Sequence, residues 1–156
     1  MVGETKEGGE EITIEFVTFE IAKKLKEKGF KEKCFAYYHP GSAELFFNHI
    51  PYKGGIVADC MYSYNSLPVE SYISDLIDAP TIAQVLRWLR EVKGIDVLPQ
   101  RGHINLDNNG KVTRYYNVNI YFERRFACTL DNDEQDYSTY EKAAIAGIEY
   151  ILDNLI

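Results

Sequence analysis

Few residues in this 156-residue chain combine types that do chemistry. His49, Asp59 and Cys60 are the nearest to a catalytic set, with Cys60 as nucleophile and His49 as base. Their spacing does not demand that role. Cys60 lies in the apolar run Ile56–Met61, the setting of an inert buried thiol. His39, His49 and Asp59 could be imagined around a metal, but no His pair has the i, i+4 spacing that lets one helix present two ligands. Asp131–Asp136 begins like a calcium loop. It then has Asp136 where the sharp turn needs glycine and Lys142 where the bidentate glutamate belongs, so it reads as a charged loop. Gly54-Gly55 lacks the Gly-Lys-Ser/Thr ending and the strand–loop–helix setting of a phosphate cradle. These readings leave no catalytic residue, no metal ligand and no cofactor to expect.

Binding chemistry is better represented. Tyr115, Asn117, Asn119 and Tyr121 alternate with Tyr116, Val118, Ile120 and Phe122. The period of two places the first set on one face of a strand and the apolar set on the other, the mark of a half-buried antiparallel strand. Amphipathic rings interleaved with amides suit a wet protein interface, and they equally suit an ordinary solvent-facing strand. Arg114, Arg124 and Arg125 flank the same strand and raise a single-stranded nucleic-acid alternative, since basic residues and stacking rings on a sheet bind RNA. The net charge of −7 opposes it, because an acidic domain gains little from counterion release.

The elements that would position these residues form one domain. Three helices are expected, from about Phe19 to Lys28, Pro80 to Lys93 and Thr139 to Leu155. The first has Thr18 as cap, Ile21, Ala22 and Leu25 as stripe, and Gly29 with Phe30 as a Schellman ending. The second has Pro80 in its first turn and a stripe of Ile82, Val85, Leu86, Leu89 and Val92, bordered by Trp88. The third has a capping box of Ser138 and Glu141, with small residues Ala143, Ala144, Ala146 and Gly147 for close packing on a sheet. A short strand is expected at Ile12–Phe16, and Lys33–His39 and Glu44–Ile50 read as a hairpin about His39-Pro40-Gly41-Ser42. A second hairpin joins His103–Leu106 to Lys111–Phe122 through Asp107–Gly110, and a last strand spans Phe126–Leu130. Pro51–Ile77 reads either as a long functional loop or as a poorly patterned strand pair.

The resulting expectation is an α+β fold: a two-layer α/β sandwich, mainly antiparallel sheet, with about three helices packed on one face. Residues 1–11 contain adjacent glycines and four glutamates and are expected to be a disordered tail, leaving 12–156 as the folded domain. Three well-separated cysteines without a C-x-x-C pair suggest reduced, mostly buried thiols and a cytoplasmic setting. No apolar segment approaches membrane-spanning length, and nothing in the N-terminus has the apolar core of a signal peptide.

Four segments, Phe16–Phe30, Cys34–Tyr38, Ala79–Ile95 and Ser138–Leu152, resemble a family of uncharacterised small proteins encoded by prophages and mobile elements of gut Bacteroidales. The shared features are a Phe-Val-Thr-Phe-Glu helix start, a Cys-Phe-x-Tyr-Tyr strand, an Ala-Pro-Thr helix start and a Thr-Tyr-Glu terminal helix. The ending is also distantly similar to phage ABA sandwich domains. The resemblance implies a phage or mobile-element origin and a cytoplasmic protein; the absence of catalytic motifs and the tyrosine-rich strand add the expectation of an accessory protein that binds a host or phage protein through an exposed sheet face or the Pro51–Ile77 segment. The resemblance carries no catalytic residues. The leading expectation is a non-enzymatic interaction protein; the alternatives are a small hydrolase using Asp59, Cys60 and His49, or a weak single-stranded nucleic-acid binder.

Overall fold

A computed structural model describes residues 15–51, 57–59, 61–130 and 137–156. The expected tail at 1–11 and the first part of the strand expected at 12–16 lie outside them. Among the described residues the order is α1 (Phe19–Glu27), β1 (Ala36–Tyr38), β2 (Leu45–Phe47), β3 (His49–Pro51), β4 (Val57–Asp59), β5 (Ile77–Ala79), α2 (Ile82–Val92), β6 (Ile95–Leu106), β7 (Val112–Phe122), β8 (Arg125–Leu130) and α3 (Tyr140–Asn154).

The chain is an α+β fold, and among the described residues every strand pairing is antiparallel. The strands divide into three ladders: β2-β1-β5, β3-β4 and β6-β7-β8. The three helices share one core with the first and last of these. Val17, Ile21, Leu25, Phe30, Val85, Trp88, Leu89, Val97, Val118, Ile120, Ile148, Ile151 and Leu152 form it.

The helix ends follow local chemistry. Thr18 caps α1 by accepting from the Ile21 N–H, and Gly29, at φ +87°, closes it in a Schellman turn: Phe30 N–H donates to Leu25 O and Gly29 N–H to Lys26 O. α2 begins two residues later than the proline predicts. Thr81 is the cap, and Gln84 completes a capping box, so Pro80 stands outside the helix. There Pro80 accepts the Val17 N–H, and Phe16 forms an isolated bridge with Thr81. The α2 stripe is also rotated from expectation: Trp88 is buried edge-on against Phe30, and Val92 is exposed. The cap of α3 is Thr139 instead of Ser138, and Glu141 is no part of a box; Thr139 accepts from the Lys142 N–H.

α3 lies close on β6 and β7 because Gly147 permits it. A Cβ on Gly147 would stand 2.6 Å from Val97 Cγ1 and 2.9 Å from Val118 Cγ1. Sequence order also explains α2: Gly94, at φ +69°, reverses the chain directly from the helix into β6.

β6 is far longer than the His103–Leu106 strand expected. It runs through Pro99, which an edge strand tolerates because the missing N–H need not face a neighbour, and through an irregularity between Arg101 and Ile104. The Asp107–Gly110 turn forms as expected, with Asp107 Oδ1 accepting from the Asn109 and Lys111 N–H groups. Residues 123–124 make a two-residue turn between β7 and β8, with Glu123 and Arg124 both at positive φ.

Candidate functional site

Alternation along β7 decides what each face presents. Val118 and Ile120 are fully buried under the helix layer, so Tyr115, Asn117, Asn119 and Tyr121 point the other way and are half-buried. The helix contacts of this sheet lie on the Val118 side. The outer face is therefore without a helix among the described residues.

Register supplies the neighbours. Asn117 pairs with Gln100, Asn119 with Leu98 and Tyr121 with Asp96 on one side. On the other side Asn119 pairs with Thr129 and Tyr121 with Phe126. Antiparallel partners share a face, so these residues form one surface. Asn119 Oδ1 accepts from Thr129 Oγ1 at 2.7 Å, which fixes that amide. The Tyr121 and Phe126 rings meet edge to face at 5.7 Å. Leu98 and Phe126 remain 42% and 60% exposed. Asn117 Oδ1 is buried and accepts no hydrogen bond among the described residues. Tyr115 stands opposite the irregularity in β6. Sequence reasoning named the four β7 residues but not Leu98 and Phe126. Their placement depends on register and on the bulge near Tyr121, which alternation within one strand does not reveal.

The β2-β1-β5 sheet has an outer face of a different kind, also missed. Tyr37, Asp78 and Phe46 are register partners pointing away from the core. The Tyr37 and Phe46 rings stack at 5.7 Å, Tyr64 leans on Tyr37 at 4.9 Å, and Tyr62 on Tyr64 at 4.9 Å. Asp78 holds the covering segment in place. Its carboxylate accepts from Ser63 Oγ at 3.1 Å, Tyr64 N–H at 2.8 Å and Asn65 N–H at 3.0 Å. Asn65 Oδ1 accepts in turn from the Asp78 N–H, and Asn65 Nδ2 donates to Phe30 O. Burial pushes the Asp78 carboxyl above the ordinary range, against those hydrogen bonds and the nearby Lys26. Asp78 is a buried anchor. An aspartate inside the apolar run Ile77–Ala79 was the available signal.

The other residues singled out fall as follows. β3 and β4 place His49 directly opposite Asp59 in register, while Cys60 lies outside the described residues. His39 sits in the β1–β2 turn, where its Nδ1 accepts from the Gly41 N–H. No group of three His, Cys, Asp or Glu among the described residues is placed to hold a metal. The charged segment 131–136 lies outside the described residues. Cys34 is buried and Cys128 partly so. Burial pushes the Cys34 thiol far above its ordinary range, with Asp78 and Glu32 adding to the effect, which makes it unreactive. Arg114 lies near one end of β7, and Arg124 and Arg125 lie beyond the other, so they form no single cluster. No helix among the described residues is long and apolar enough to cross a membrane.

No protein-family model matches the chain, and no curated protein or solved structure shows significant similarity to it.

Proposed function

We propose that this chain is a non-enzymatic protein-interaction module that binds a protein partner through the outer face of β6-β7-β8. The observation that carries this reading is the composition of that face. Tyr115 and Tyr121 with Leu98 and Phe126 offer apolar contact area of the kind enriched at interface centres, and Asn117 and Asn119 offer amides among them. The resemblance to proteins of prophages and mobile elements supports a host or phage protein as that partner and a cytoplasmic accessory role. The test is parallel affinity capture from nuclease-treated host lysate with the wild type and with Tyr115→Ala/Tyr121→Ala. A stoichiometric protein recovered by the first and lost by the second is expected, with unchanged thermal stability. The same recovery by both removes this face from the proposal.

A hydrolase using Asp59, Cys60 and His49 is the second reading, supported by the register that sets His49 against Asp59. The wild type should then turn over activated ester or phosphoester substrates and His49→Ala should not; absence of any turnover by the wild type sinks it.

A further inference from the structure

The hairpin formed by β6 and β7 continues past the helix layer. Tyr116 is the last β7 side chain with a helix partner on that face, its ring meeting Tyr140 in the first turn of α3. Beyond it, four residues of β7 and five of β6 project for about 13 Å. Alternation places Val112 and Arg114 on the same face as Tyr116, and register places Leu106 and Ile104 beside them. Ile104, Leu106 and Val112 are 67%, 68% and 50% exposed. The opposite face of the arm carries Asn105 and Thr113, with Tyr115 at its base. The arm is thus amphipathic, with its apolar side on the continuation of the surface that seats α3. Arg101, Lys111 and Arg114 surround that side, all exposed, and none makes an ion pair among the described residues.

Charge selects the occupant. Residues 101–116 carry three basic and one acidic side chain, a net +2 within a chain of net −7, so the remainder stands at −9. A bilayer rich in anionic lipid would attract the arm and repel the rest. Single-stranded nucleic acid needs stacking rings, and the exposed apolar residues on this side are aliphatic. A short acidic, apolar segment satisfies both the local charge and the aliphatic strip. The face already packs a helix closer to its base. We infer that the apolar side of the β6–β7 arm docks an acidic amphipathic helix of a partner protein, a site separate from the outer face proposed above.

The probe is a synthetic helical peptide of about 18 residues, with leucines at i, i+3, i+4 and i+7 spacing and flanking glutamates. Its lysine-for-glutamate counterpart is the control, and binding to the full chain is read by fluorescence anisotropy. The glutamate peptide should bind and the lysine peptide should not. Arg101→Glu/Arg114→Glu and, separately, Ile104→Ser/Leu106→Ser should each weaken binding at least about tenfold without lowering the melting temperature. Tyr115→Ala/Tyr121→Ala should bind the peptide as the wild type does, so failure here and failure of the outer-face reading are separable. Absence of binding, equal binding of both peptides, or undiminished binding by both arm variants overturns the inference. So does tighter binding of a single-stranded oligonucleotide or of phosphatidylserine vesicles than of the glutamate peptide.

Discussion

The two larger sheets face the helices in the same way and differ on their outer sides. On β2-β1-β5 the chain covers part of its own outer face: Ser63, Tyr64 and Asn65 lie over Asp78, whose carboxylate meets three donors, while Phe46 at the edge stays exposed. On β6-β7-β8 the amide of Asn117 occupies a comparable outward position and its Oδ1 has no donor among the described residues. A buried polar group is costly alone and neutral or favourable once paired. The first face is thus partly covered by the chain itself, whereas the second has no such covering segment among the described residues, and it is there that the proposed partner would bind. Both faces are rich in aromatic residues, so tyrosine content alone does not separate a finished surface from a binding surface.

The comparison is broken most severely at Asp78. Asp78→Ala leaves the Tyr64 and Asn65 N–H groups without acceptors, and a loss of about 3–4 kcal/mol is expected in urea unfolding. Unchanged stability would mean that the segment is held otherwise. On the second sheet, Gly147→Ala pushes a methyl into Val97 and Val118 and should cost about 1–3 kcal/mol despite alanine's better helix propensity.

A smaller effect is the pH dependence of Asp78→Asn. Because burial raises the folded carboxyl above its unfolded value, the folded state holds its proton to higher pH. The linked stabilisation is full below the ordinary carboxylate range and is lost as pH rises through the raised value. The wild type's advantage over Asp78→Asn should therefore be largest in acid and shrink toward neutrality. An advantage that grows with pH would show the opposite shift. The smallest change is expected at Asn117→Leu, within about 0.5 kcal/mol of the wild type or slightly stabilising, since the lost group has no partner to strand. A marked destabilisation would show that Asn117 Oδ1 is already satisfied within the chain.

The periodic elements were the readable ones. Three helices, the β1–β2 hairpin, the Asp107–Gly110 turn and the two-faced β7 follow from local spacing and turn chemistry. Helix starts shifted where two capping signals competed: Thr81 with Gln84 outranks Pro80, and Thr139 outranks Ser138. The first half of β6 was hidden by Pro99 and Gly102, which break strand patterns inside a sheet but not on its edge. The Glu123-Arg124 turn lacks the glycine or asparagine that ordinarily marks positive φ. Of the candidate site, the outward set on β7 was legible because alternation is local. Leu98 and Phe126 were not, since register is a property of two strands. The Asp78 anchor joins residues 13 to 15 positions apart, beyond any local pattern.

The most direct measurement compares the two outer faces in one experiment: site-specific photo-crosslinking with benzoylphenylalanine in place of Tyr121 or of Phe46, in nuclease-treated host lysate. The account predicts a discrete protein adduct from position 121 and none from position 46. An adduct from position 46 alone, or none from either, would contradict the claim that the β6-β7-β8 face is the binding surface.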